Sequence, residues 1–157
     1  MSKPADFIEI FDGDGEVIRR VRVRDANAGL RGADLSGLGG PLVQLQGLDL
    51  TEANLYWASL SDADLSFAQL VRADLRGANL SGTRCRGTNF HGAKLGRDNL
   101  GGRTLLRGAD LSSADLSEAN LDGAVFDGAT KFPPNFSPNL HGMVDVEDLP
   151  PEDPARI

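Results

Sequence analysis

Starting from Leu30, an apolar residue returns at every fifth position as far as Leu100, and after one extra residue the same beat runs from Leu106 to Phe126. Of the twenty positions on the beat sixteen are Leu, Phe90 and Phe126 are larger, and Cys85 and Gly40 depart from it. Two residues before each centre a second small or apolar residue recurs, alanine at thirteen of the twenty, as at Ala33, Ala53, Ala73 and Ala93. The other three positions of each five are mostly polar. In a straight α-helix a five-residue step rotates a position by about 140°, so no apolar stripe forms. In a continuous strand the same step throws successive leucines onto opposite faces. The pattern therefore predicts a chain that turns a corner every five residues. Four such sides close a square coil of twenty residues, with the centre and the residue two before it inside and three polar positions outside. A long fixed period of this kind is the signature of a solenoid.

The runs Ala33-Asp34-Leu35-Ser36-Gly37, Ala53-Asn54-Leu55, Ala63-Asp64-Leu65-Ser66, Ala73-Asp74-Leu75-Arg76-Gly77 and Ala109-Asp110-Leu111-Ser112 resemble the pentapeptide repeat family. The resemblance covers about two thirds of the chain. It implies an all-β fold, a right-handed quadrilateral β-helix. At this length the array would hold about five coils, spaced by about 4.8 Å into a prism about 24 Å long.

The flanks read differently. Phe7 to Phe11 and Glu16 to Val23 are rich in β-branched and aromatic residues, and Asp12-Gly13-Asp14-Gly15 between them is turn chemistry. A hairpin is predicted there, lying over or beside the first coil, where it would cover an otherwise open sheet end. The expected division is 1–29 hairpin and cap, 30–129 repeat array, 130–144 C-terminal cap, and 145–157 a mobile, acidic, proline-rich tail. Phe132, Phe136, Leu140 and Met143, set among Pro133, Pro134 and Pro138, are the expected plug.

Net charge is −7, but its distribution matters more. Between 71 and 107 eight basic residues face only Asp74 and Asp98, whereas the array on either side is acidic. The single cysteine, Cys85, permits no internal disulfide, and the opening Met1 to Asp6 lacks the apolar core of a signal peptide. No apolar run approaches membrane-spanning length. These features predict a cytoplasmic protein with no membrane association.

Three irregularities are candidate functional features. Asp98 stands at an inward position held by Ala58 and Ala78 in earlier coils. A buried carboxylate needs donors, and the extra residue just downstream, within Gly101 to Leu105, predicts a bulge whose backbone N–H groups Asp98 ties down, with Leu106 inside. Counting around the square places Arg84, Arg86 and Arg107 on one side, Arg86 and Arg107 one coil apart, with Arg103 in the adjacent bulge. Such a cluster repels itself and suits a phosphate or carboxylate, or else is a solvated face balanced by the acidic coils. Tyr56 and Trp57 project outward, with Gly37 and Gly77 flanking Trp57 in the coils before and after, and Tyr56 one coil before Arg76, where the two can stack. An exposed tryptophan with space on both sides is a binding anchor, or the place where a terminal segment packs.

Other signals are weak. Asp12, Asp14 and Glu16 imitate the start of a calcium loop, but Val17 and Val23 stand where that loop needs glycine and glutamate. His91 and His141 lack ligand-type neighbours, and Cys85 in a leucine slot is a small buried hydrophobe. No metal site, cofactor, catalytic triad or phosphate loop is predicted, and a coil packed with leucine leaves no substrate pocket. The expectation is a non-enzymatic scaffold that presents rigid walls to a protein partner. Some relatives imitate duplex DNA toward a type II topoisomerase such as DNA gyrase, and the resemblance makes that the second reading. It fits poorly, because about 24 Å matches only about seven base pairs and the middle coils are basic; a homodimer through the terminal caps would double that length. Anion or nucleic-acid binding through Arg84, Arg86 and Arg107 is the third, with direct nucleic-acid binding disfavoured.

Overall fold

The computed structural model describes residues 6–23, 29–40 and 42–156, so the reading of the opening residues 1–5 lies outside it. From Asp34 to Lys94 every bridge of the array joins residues twenty apart in parallel: Asp34 to Asn54, Ser59 to Asn79, Asp64 to Arg84, Asp74 to Lys94. The inward leucines and alanines form one continuous core, with Leu35, Leu55, Leu75 and Leu95 fully buried in one column. Four columns follow, called here the first side (Leu30, Leu50, Leu70, Phe90, Leu116), the second (Leu35, Leu55, Leu75, Leu95, Leu121), the third (Leu60, Leu80, Leu106, Phe126) and the fourth (Leu45, Leu65, Cys85, Leu111).

The corners have a local cause. Two residues past most centres the backbone is left-handed, as at Gly37, Gly77 and Gly92, and the same φ is taken there by Glu52, Trp57, Asp62, Phe67, Arg72 and Glu118. One residue before many centres stands Asp or Asn, whose carboxyl or amide oxygen accepts the N–H two residues on, as Asp34 does from Ser36 at 3.1 Å and Asp74 from Arg76 at 3.2 Å. This is the Asx turn, which satisfies the amide that the corner takes off the ladder. The acidic residues of the repeat are thus turn chemistry first and surface charge second.

The register changes most after Leu95, by more than the sequence suggested, and slips again by one residue between Asp110 and Lys131. Asn79 pairs with Leu105 and Arg84 with Asp110, steps of 26 rather than twenty. The array therefore gains a six-residue loop after Leu95, not a one-residue bulge. Leu100, expected inside, is 87% exposed at its tip, and Leu105, expected in the bulge, sits on the ladder. Leu106 is inside as expected, but it stacks over Leu80 rather than over Cys85.

Strands β1 (Asp6–Phe11) and β2 (Val17–Val23) pair antiparallel, and Asp12 closes their turn by accepting the Asp14 and Glu16 N–H groups at 3.0 and 2.9 Å. The hairpin meets the array where Gln44 N–H donates to the Phe11 carbonyl at 2.9 Å, and Ile10 enters the core. Ile18 explains the break at Gly40: a Cβ there would stand 3.2 Å from its Cδ1. At the other end β3 (Val125–Phe126) pairs in parallel with β4 (Val144–Asp145). Phe132 and Phe136 stack at 5.1 Å and pack on the core with Met143 buried beside them, whereas Leu140, expected in the plug, is exposed. Where composition predicts a mobile tail, residues 146–156 fold into short 3-10 turns, and Leu149 and Ala155 pack on Val125 outside the third side.

Candidate functional site

Asp98 is the node of the one irregular stretch. Its Oδ1 accepts the Leu100 and Gly102 N–H groups at 2.8 and 2.6 Å, and its own N–H donates to the Gly102 carbonyl at 2.8 Å. The expected tie between Asp98 and the extra loop is therefore present. Its second oxygen was not anticipated. Oδ2 accepts from the Tyr56 hydroxyl at 2.7 Å and from the Trp57 indole Nε1–H at 2.9 Å, reaching two coils back in sequence. The Tyr56 hydroxyl, then the indole N–H and the two loop amides, hold the Asp98 carboxyl down to about 2 against the effect of burial. The same bond raises the Tyr56 phenol.

Trp57 is consequently both exposed and fixed. Its side chain remains 54% accessible, yet the indole lies over Gly77, where a Cβ would meet Nε1 at 2.7 Å, and against Gly102, where a Cβ would meet the ring at 2.5 Å. Gly37, on the other side, has nothing near it. Space is thus open on one flank and filled on the other. Tyr56 meets the indole edge-on at 6.3 Å, and the Arg76 guanidinium lies 5.8 Å above the Tyr56 ring, the stacking that the spacing predicted. Arg76 is held in turn by Asp74, with Nε to Oδ1 at 2.9 Å and Nη2 to Oδ2 at 2.6 Å. Beside the indole runs a groove of about 430 Å3, walled by Leu105, Arg103 and the tail residues Asp153 to Ala155.

The arginines do not form the expected cluster. Because the loop adds six residues, Arg107 stands after Leu106 on the third side and Arg86 after Cys85 on the fourth, so they are not neighbours one coil apart. Arg84 pairs with Asp64 at 3.3 Å. Arg103 donates to the Gly123 carbonyl at 3.1 Å and faces Asp153 at 3.8 Å, and Arg107 donates to the Ala155 and Arg156 carbonyls at 3.4 and 3.2 Å. Two of the four thus serve to hold the C-terminal segment on the wall. That segment lies beside Trp57, as one reading of the exposed indole expected.

A further exposed aromatic escaped the sequence reading. Phe67 is 69% accessible and lies over Gly87 as Trp57 lies over Gly77, on the diagonally opposite corner. The signal was available: a large residue at the left-handed position, followed twenty residues later by glycine. Cys85 is buried between Thr83 and the core, which pushes its thiol up to about 12.

Eight copies of the model described as pentapeptide repeats match residues 42–77, 68–97 and 103–130, more than half of the chain. The chain belongs to the pentapeptide repeat family. The gap between the last two matches contains the loop that Asp98 organises. Solved pentapeptide repeat proteins are similar to it. The chain is 33% identical to alr5209 from Nostoc, over 65% of this chain and 84% of that one, with a TM-score of 0.33. It is 39% identical to HetL from Nostoc, described as involved in heterocyst differentiation regulation, over 62% of this chain and 43% of that one, with a TM-score of 0.34. It is 27% identical to AT2G44920 from the thylakoid lumen of Arabidopsis thaliana, over 69% and 72%, with a TM-score of 0.33. Membership of this family implies that the twenty-residue ladder is a right-handed quadrilateral β-helix. No curated protein sequence matches this pentapeptide repeat protein.

Proposed function

We propose that this protein is a non-enzymatic interaction scaffold, and that the wall around Trp57 is where a protein partner docks. The observation that carries this reading is the state of the indole: a tryptophan on a left-handed backbone, at a position glycine commonly holds, half exposed and yet fixed by a hydrogen bond to Asp98. Other non-glycine residues take this φ in the array, but at Trp57 the ring is also seated over Gly77 and held by Asp98. A large apolar surface whose orientation is already set loses little entropy on binding, the property of an interface hot spot. The interior supports the same conclusion, because the columns are filled with leucine and alanine and leave the outside for function.

The competing readings draw less from the surface. The Asp and Asn residues that a DNA mimic would present are engaged in Asx turns, and the middle coils are basic. Of the arginines offered for an anion, Arg84, Arg103 and Arg107 are engaged elsewhere, leaving Arg86 alone. The test is capture of partners from extract of the native host with the wild-type protein, Trp57→Ala and Arg86→Glu, followed by titration of the captured protein against the fluorescence of Trp57, the single tryptophan. Loss of capture with Trp57→Ala and a saturable spectral shift are expected. Equal recovery with all three proteins would remove both surfaces.

A further inference from the structure

In each coil of the first side three backbone groups reach toward the next coil. Phe90 N–H donates to the Asp115 carbonyl at 2.8 Å, Gly92 N–H to the Ser117 carbonyl at 3.0 Å, and the Thr88 carbonyl accepts from Asp115 N–H at 2.9 Å. One coil later the equivalent groups are Leu116 N–H, Glu118 N–H and the Ala114 carbonyl, and none of them has a hydrogen-bond partner among the described residues. Of the other sides of this last coil, the third and fourth are met by the chain's own backbone and the second only at Gly123, its Leu121 N–H and Ala119 carbonyl having no hydrogen-bond partner among the described residues. Leu111 N–H donates to Lys131, the Ala124 carbonyl accepts from Val144, and Gly123 N–H donates to Gly142.

Instead of a strand, the first side faces Pro133 and Pro134 across a groove of about 420 Å3 that runs from Ala114 to Ala119 and is closed on the far wall by Phe136 and His141. Proline has no N–H to offer the ladder, so the segment that covers the core leaves this row open. The volume is within the range that holds a small ligand or a few residues of peptide.

We propose that this row is a docking site for an extended, basic segment of another protein, which adds a rung to the first side in parallel with 113–119. The register follows from the array itself. One partner residue pairs its N–H with the Ala114 carbonyl and its C=O with Leu116 N–H, and the residue two positions later offers its C=O to Glu118 N–H. The chemistry follows from the same rule. Several outward acids are answered by a base in the next coil, Glu52 with Arg72 at 3.3 Å on this same side, Asp64 with Arg84 at 3.3 Å and Asp74 with Lys94 across one bridge, whereas Asp34 and Asp49 meet Asn54 and Gln69. At the open row the acids are Asp115 and Glu118, and the His91 ring stands 3.8 Å from Glu118 on the preceding coil. The occupant therefore carries Lys or Arg over Asp115, a small residue over Leu116, and a second Lys or Arg three residues after the first. This site is separate from the Trp57 wall and stands or falls independently of it.

The test uses the full chain, labelled with nitrogen-15, and the synthetic peptide acetyl-Gly-Ala-Arg-Ala-Ser-Arg-Gly-amide. Saturable shifts of the Leu116 and Glu118 amides, slowed hydrogen exchange at both, and about tenfold weaker binding when the first arginine is N-methylated are expected. Glu118→Lys, an exposed change, and Asp115→Asn, which keeps the turn acceptor, should each weaken binding with unchanged melting. The proposal is overturned by absence of shifts up to millimolar peptide, by shifts centred elsewhere, or by indifference to N-methylation. It is equally overturned if the protein alone sediments as a dimer that protects these two amides, because the occupant is then a second copy.

Discussion

Asp98 shows how one residue converts an interrupted repeat into an ordered feature. Its carboxylate collects four donors, two from the loop and two from the coils behind it. Because those donors depress its pKa from 3.8 to about 2, the carboxylate stabilises the folded loop fully above the unfolded value, and this contribution is lost as pH falls through the folded one. The emission of Trp57 should therefore hold steady down to about pH 4, then change between about pH 4 and pH 2, and the window should vanish in Asp98→Asn. The Cys85 thiol, raised to about 12 by burial, should react with an aromatic disulfide reagent only after unfolding. Rapid labelling of the native protein would contradict its placement. At this scale the sequence was partly legible: an acid in an alanine column announced a need for donors. Only distance in space, not spacing along the chain, could reveal that two of those donors are Tyr56 and Trp57, 42 and 41 residues away.

Among the elements, the rungs were legible and the step between them was not. Inward and outward positions follow from burial, and burial is written in the residue types, as the columns through Leu55, Leu75 and Leu95 show. Leu75→Ala removes a fully buried side chain from the middle of a column and should cost about 2 to 5 kcal/mol, read as a lowered midpoint in chemical denaturation. Leu100 obeys the same five-residue beat yet lies in solvent, because a six-residue loop and a one-residue slip look alike to a period count. That ambiguity also misplaced Arg107, whose bonds to the Ala155 and Arg156 carbonyls hold the C-terminal segment. Arg107→Ala should speed hydrogen exchange and proteolysis within 150–156 while leaving the melting of the array nearly unchanged. A large fall in global stability would mean that the segment is part of the cooperative core. Its composition, acidic and rich in proline, gave no hint of packing; the contacts come from Leu149 and Ala155, two apolar residues in a mostly polar run.

The whole molecule is one ladder with one large step in it and a one-residue slip near its end. Twenty-residue registers stack a solid core up to Leu95, a loop of six extra residues is set aside by Asp98, and the ladder resumes on the same sides. Every surface assignment inherits this register: the separation of Arg86 from Arg107, the groove between Leu105 and Trp57, and the open row at Leu116. The family and the all-β repeat were legible because five-residue periodicity has so few structural solutions, whereas partners leave no such trace in a repeat whose outward residues are largely turn chemistry. The most direct test is disulfide formation in a Cys85→Ala background. Neighbouring parallel strands lie about 4.8 Å apart, within the reach of a disulfide. Asn79→Cys combined with Leu105→Cys should cross-link readily under mild oxidation, and Asn79→Cys combined with Asn99→Cys should not. Cross-linking of the second pair in preference to the first would contradict the register and everything placed by it.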